Sequence, residues 1–313
     1  MHVFLTGGSG YVGSAVLRRL VAEGHRVTAL VRSEASAAKV TAAGATAVSG
    51  DIADVTWLAG RMAEADGAVH TASPNDATSA QVDRSVVRAA GAAFDGTGRP
   101  YVHTSGMWVY GGGDAITEGS PVDPVAALAW RPQVAQEVLR IATRTGIVFP
   151  GVVYGHGGGL PGLVARAPRS ASGAFTLIGG GDQRWVTVHV DDLADLYVRV
   201  LLHGRTGSCW IASDGRNPSV RALGEAAARA AGVPGEVIAE TAEDTRRRLG
   251  VFAEGLLRSQ SATAAKARSE LGWNPGRPSL VEELEHGSYA PGGQGRTPSA
   301  PETAAGDAGQ AVS

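Results

Sequence analysis

The stretch "LTGGSGYVGSAV" (residues 5–16) sets Gly7, Gly8, Gly10 and Gly13 between an apolar run, "HVFLTG" (2–7), and an amphipathic run, "GSAVLRRLVAEG" (13–24). The spacing satisfies both G-x-x-G-x-x-G and G-x-G-x-x-G, and its flanks are the strand and helix that such a turn requires. Without Cβ atoms the turn tightens and its amides approach a pyrophosphate, which meets the positive end of the helix that follows. Thr6, Gly7, Gly8, Ser9, Gly10, Tyr11, Val12 and Gly13 are therefore the expected phosphate-binding set.

A turn of this kind belongs to a parallel sheet, and the sequence supplies the remaining strands. "HRVTALVR" (25–32), "ATAVSGD" (45–51), "GAVHTAS" (67–73) and "YVHTSG" (101–106) read as strands, with "AQVDRSVVRAAGAAF" (80–94) a helix between the last two. Such alternation predicts an α/β, doubly wound parallel sheet covered on both faces. Beyond residue 150 the pattern is mixed: "FPGVVYG" reads as a strand, "VHVDDLADLYVRVLLHG" as a helix opening on a strand end, and "SVRALGEAAARAAG" (219–232) as an amphipathic helix. The expected division is 1–155 for the nucleotide domain, with later strands near 147–155 and 186–211 interleaved, and 156–289 for a smaller C-terminal substrate lobe. Residues 290–313, almost without bulky apolar side chains, cannot offset their ordering entropy and are expected to be a disordered tail.

Composition narrows the partners. A net charge of −2 offers no attraction to nucleic acid, and no apolar run reaches the about 18 residues of a membrane span. A single cysteine, Cys209, excludes an internal disulfide and suits a reducing compartment, so a cytoplasmic protein is expected. The eight histidines show no metal-ligand spacing, and no metal is expected.

The end of the second strand discriminates between cofactors. A carboxylate there would bind a ribose 2′-hydroxyl; the sequence has Arg32, which points to a 2′-phosphate and to NADP(H) in preference to NAD(H). A solvated arginine in an arginine-rich chain is the plainer alternative. Asp51 and Ile52 close the next strand, where they would flank an adenine or simply end the strand.

Seven segments, "TGGSGYVG" (6–13), "GDIAD" (50–54), "VHTASP" (69–74), "HTSGMWVYG" (103–111), "FPGVVYGHGGG" (149–159), "RWVTVHVDDLADLYV" (184–198) and "ELGWNP" (270–275), carry a resemblance in their order. The chain resembles extended short-chain dehydrogenase/reductases of the NAD-dependent epimerase/dehydratase type over residues 1–289. The resemblance implies a Rossmann domain, a C-terminal substrate lobe and a nicotinamide nucleotide, with Thr71, Ala72, Ser73, Pro150, Gly151 and Val152 on its nicotinamide side. It also implies a possible homodimer through the helices near 80–94 and 132–145.

The chain departs from that pattern at its chemical centre. The family's proton donor is a tyrosine four residues before a lysine, whose ammonium lowers a phenol pKa that is otherwise about 10. None of the six tyrosines here (11, 101, 110, 154, 197, 289) has a lysine at that spacing. Anchoring "ALAWRPQVAQEVLR" (127–140) on Glu137 puts Ala129 and Gln133 at the two positions, and Gly106 stands where the serine belongs. The chain resembles atypical members that keep the fold and lose the usual acid–base set.

Replacement candidates lie near the strand ends. Ser105 stands one place early and is either a donor to a substrate oxygen or a strand cap. Tyr110 is a displaced acid or a packed ring, and His156, among glycines, is a third catalytic candidate. His103, on the face of Ser105, is a conceivable relay or a packed side chain, and His70 reads as packed. Trp108, Arg184 and Trp185, with Ser105 and Tyr110, are candidate substrate contacts, while Asp191 and Asp192 read as helix caps. The sequence thus points to an NADP(H)-dependent oxidoreductase acting on a small carbonyl or alcohol with a non-standard proton donor. Its alternatives are a non-redox cyclase, dehydratase or epimerase, and an NADP(H)-sensing protein.

Overall fold

The computed structural model describes residues 1–233 and 236–293, so most of the expected C-terminal tail lies outside the described residues. The first half runs β1 (His2–Thr6), α1 (Tyr11–Ala22), β2 (Arg26–Val31), α2 (Glu34–Ala42), β3 (Thr46–Ser49), α3 (Val55–Ala63), β4 (Gly67–His70), α4 (Ser79–Phe94) and β5 (Pro100–Thr104). Then come α5 (Arg131–Leu139), β6 (Arg144–Pro150), β7 (Val152–Tyr154), α6 (Gly162–Ala165), β8 (Phe175–Thr176), β9 (Thr187–His189), α7 (Val190–His203) and β10 (Ser208–Ala212). The chain continues through α8 (Val220–Ala230), β11 (Val237–Ile238), α9 (Ala242–Leu249), α10 (Ala253–Leu257), α11 (Ala265–Leu271) and α12 (Leu280–Glu285).

Seven strands form one sheet in the order β10-β6-β5-β4-β1-β2-β3. Every pairing in it is parallel, as the continuous apolar runs required. The strand order reverses between β1 and β4, which makes their carboxyl ends the topological switch point where ligands of such sheets bind. Helix α1 packs on α7, and α4 packs on α3 and α5. Val3, Phe4, Leu5, Leu17, Leu20, Val86, Phe94 and Trp210 are fully buried in the resulting core.

The stretch 149–155 differs from the single strand expected. It breaks at Gly151, whose N–H bonds to Ala212 O, and the next residue, Val152, donates to Val186 O. From there β7 leaves the large sheet and pairs with β9, so of the later segments only β6 and β10 join it. Around β7 a second apolar cluster forms from Tyr154, Phe175, Trp185, Leu223, Leu256 and Leu284. Local signals set the helix starts: Ser33, Asp54 and Ser219 cap α2, α3 and α8, and Ser279 with Glu282 completes a capping box on α12. Asp191 and Asp192 are not caps; they lie in the first turn of α7, which His189 caps through Nδ1. Among the described residues, no helix is long and apolar enough to cross a membrane.

Candidate functional site

The strands of the seven-stranded sheet all end at the same edge, where the glycine turn, Arg32, Asp51, Thr71 and Ser105 follow them. After β1 the chain turns through Gly7, whose φ of +79° suits only glycine, and Gly10 N–H bonds back to Gly7 O at 2.9 Å. Gly13 lets α1 press on this turn, for a Cβ there would lie 2.0 Å from Gly7 O and 2.6 Å from Thr71 Oγ1. No side chain caps α1, which leaves its first amides free for an anion. The loop therefore fits the pyrophosphate of a dinucleotide. The Tyr11 phenol does not face that role: it donates to Gly155 O at 2.7 Å, and burial raises its pKa strongly.

At the end of β2, Arg32 is exposed and makes no hydrogen bond or ion pair among the described residues. Asp51 lies beyond the end of β3 and accepts from Ala53 N at 2.8 Å, while Ile52 is half-buried against the core. After β4, Thr71 is fixed by two bonds to Thr6 O, through its amide at 3.1 Å and its hydroxyl at 2.8 Å, with Ala72 and Ser73 following at the rim.

Ser105 follows β5. Its N–H bonds to Val148 O at 2.8 Å, but its buried Oγ has no hydrogen-bond partner among the described residues. A strand-capping hydroxyl would have one. Beyond it, Trp108 lies half-buried against Gly255 and the second apolar cluster. Tyr110 packs its ring on Phe149, is 3% exposed, and is pushed up in pKa by burial and then by Cys209 and Glu118. Tyr110 thus stands as a ring packed in the core, the plainer of its two readings.

Two residues that sequence reasoning passed over meet at this edge. Arg131, the first residue of α5, reaches β5 with Nη1 donating to Thr104 O at 3.1 Å and its guanidinium over the Trp130 ring. Its Nε is buried without a partner. Asp83 lies in the buried stripe of α4, with Val82, Val86, Val87 and Ala90, where a carboxylate among apolar neighbours is the signal that was available. It accepts from His70 Nε2 at 3.1 Å and lies 3.5 Å from His103 Nε2; Thr6 Oγ1 and Tyr101 Oη meet the Nδ1 atoms of His70 and His103 at 2.6 and 2.9 Å. With both imidazoles neutral, the hydroxyls donate to Nδ1 and each Nε2–H points to the carboxylate. Burial pushes Asp83 up, yet the hydrogen bonds from His103 and His70 hold it well below the usual carboxylate range; burial also lowers His103. His103 is thus tied into a buried network that also includes His70.

On the lobe side, Pro150 and Gly151 lie where β6 gives way to β7, which opens at Val152. Trp185 is not available to a substrate: it is 2% exposed in the second cluster and donates Nε1–H to Leu256 O at 2.9 Å. Arg184 is exposed, with Nη1 on Asn217 O at 3.0 Å. His156 has a positive φ of 51° and Nε2 3.1 Å from Asp191 Oδ2. His156, His189 and Asp191 stand close enough together to grasp a metal. Asp191 N–H already occupies His189 Nδ1, and Arg277 lies 3.7 Å from the Asp191 carboxylate.

Comparison with known proteins agrees with this architecture. Residues 3–211 match the NAD dependent epimerase/dehydratase family. An uncharacterized protein of Schizosaccharomyces pombe is 28% identical over 304 residues, covering 92% of this chain and all of that one. A 4-hydroxy-2-methyl-3-oxo-4-farnesyl-3,4-dihydroquinoline-1-oxide ketoreductase of Stigmatella aurantiaca is 30% identical, covering 95% of this chain and 99% of its own. The dTDP-glucose 4,6-dehydratase DesIV of Streptomyces venezuelae, solved with NAD and TYD bound, superposes with a TM-score of 0.72 at 25% identity, over 91% of this chain and 95% of that one. With its seven-stranded parallel sheet, glycine turn and full-length relatives, the chain belongs to the NAD-dependent epimerase/dehydratase family of α/β nucleotide-binding proteins.

Proposed function

We propose that this protein is an NADP(H)-dependent reductase of a small carbonyl compound, in which Ser105 donates a hydrogen bond to the substrate oxygen. The observation that carries the reading is the buried, unpartnered Ser105 Oγ beside the switch point. A polar atom left without a partner inside a protein costs stability, and a ligand oxygen is the partner it lacks. Gly7 to Gly13 would hold the pyrophosphate, Arg32 the 2′-phosphate, and Thr71 to Ser73 with Pro150 to Val152 the nicotinamide end. When bound, the nicotinamide supplies a hydride to the carbonyl carbon. Ser105 orients that carbonyl and stabilises charge on its oxygen, and water delivers the proton, the Tyr110 ring being buried against Phe149. The full-length likeness to a ketoreductase supports reduction.

The test is NADPH consumption, followed by absorbance, across a panel of ketones and aldehydes with wild type and Ser105→Ala. Consumption that falls about 100-fold in the variant supports the reading; equal rates remove Ser105 from it. The likeness to a sugar-nucleotide dehydratase favours a second reading, turnover without net oxidation of cofactor. Product formation at constant NADPH absorbance would establish that reading instead.

A further inference from the structure

Arg131 stands where a cation is least expected. It opens α5, whose N-terminal end carries the positive end of the helix dipole, and it lies next to Pro132. An arginine placed for helix stability belongs at the other end. Its guanidinium is turned inward to the carboxyl end of β5, yet no carboxylate forms an ion pair with it among the described residues. The buried carboxylate of that region, Asp83, is already taken by His70 and lies within reach of His103. Of the five N–H bonds of the fork, the one on Nη1 that meets Thr104 O is accounted for, and Nε is buried with nothing to bind.

The residue that follows that carbonyl is Ser105, whose Oγ is likewise buried without a partner among the described residues. Two buried donors without acceptors among the described residues are attached to adjoining points of one strand end, while Asp83 Oδ2, a buried acceptor also without a hydrogen bond, lies 3.5 Å from His103 Nε2. We infer that Arg131 and Ser105 form a two-donor cradle for a ligand oxygen at the carboxyl end of β5. The shared chemistry is that of a hydroxyl or carbonyl oxygen, supplied by the nicotinamide ribose or by the substrate carbonyl. Arg131 is then a binding residue that works as a fixed charge, since a guanidinium does not release its proton in proteins. The inference rests on the cofactor reading above.

Titrations of NADPH and of 2′,5′-ADP, which lacks the nicotinamide half, into wild type, Arg131→Lys, Arg131→Met and Ser105→Ala test it, with thermal melts alongside. If the ribose fills the cradle, Arg131→Met binds NADPH at least tenfold more weakly and 2′,5′-ADP within twofold of wild type, and lysine recovers part of the loss. If the substrate carbonyl fills it, NADPH affinity is unchanged. Then kcat/KM for reducing the diketone 9,10-phenanthrenequinone falls at least 100-fold in Arg131→Met, and added guanidinium restores part of it. Equal NADPH affinity with equal reduction, or with no reduction even by wild type, overturns the cradle. So does a parallel loss of both nucleotides with a lowered melting temperature, which marks a structural role. A wild type that binds neither nucleotide refutes the cofactor reading itself, a result distinct from all of these.

Discussion

At Gly13 a single added methyl group would sit 2.0 Å from a backbone oxygen that has nowhere to go, whereas at Gly10 the nearest atom would be 3.2 Å away. Gly13→Ala is therefore expected to cost about 3 kcal/mol and Gly10→Ala about 1 kcal/mol, read from urea midpoints. Equal midpoints would refute the packing role assigned to Gly13. Ser105→Ala runs the opposite way: it removes an unpaired buried hydroxyl, so the variant gains about 1 kcal/mol while losing carbonyl reduction. A destabilised Ser105→Ala would show that the hydroxyl has a protein partner after all. The glycines were legible because their spacing and flanks carry the constraint. The orphaned atoms of Ser105 and Arg131 were not, because a missing partner is a property of three dimensions. Trp185 misled for the same reason, its neighbour Leu256 being remote in sequence.

Strand ends decide what the site selects. Arg32 follows β2 with no partner among the described residues, and Arg32→Glu is expected to weaken NADPH binding 10- to 100-fold while leaving NADH nearly unchanged, measured by nicotinamide fluorescence. An unaltered ratio would return Arg32 to the solvated surface. Within the layer between β4, β5 and α4, burial lowers His103, and burial also lowers His189 at the start of α7. A histidine whose folded pKa lies below its unfolded value of about 6.5 takes up its proton on unfolding. Its share of stability is whole above that pH and shrinks as pH falls toward the folded value, at up to about 1.4 kcal/mol per pH unit for each such group. Unfolding followed from pH 7.5 to 5 should show this slope, and His103→Gln should remove one histidine's part of it; stability independent of pH would contradict the buried network. The strands were legible from their apolar runs. The meeting of His70 with His103 was not, since it needs the register of β4 on β5 and a carboxylate from α4.

Across the whole molecule, the loop of residues 155–159 joins distant parts of the chain. Tyr11 donates to Gly155 O, Gly155 N–H bonds to Tyr289 Oη, Tyr289 Oη donates to Gly158 O, and Gly157 N–H bonds to Ser288 Oγ at 2.8 Å. Tyr289→Phe would leave the Gly155 amide without its partner and is expected to cost about 1–3 kcal/mol and to speed NADPH release in stopped flow; unchanged release would separate this tie from the nucleotide loop. The doubly wound sheet was legible from alternation alone, but nothing in the local sequence around Tyr11 announces a partner more than a hundred residues away. Synthesis runs from the amino end, so the glycine turn is made almost 280 residues before Tyr289. During synthesis the nucleotide turn must therefore exist without its clasp until Tyr289 has been made. Nascent chains that end before Ser288 should hold NADPH only loosely, and firm cofactor capture waits until Tyr289 has emerged.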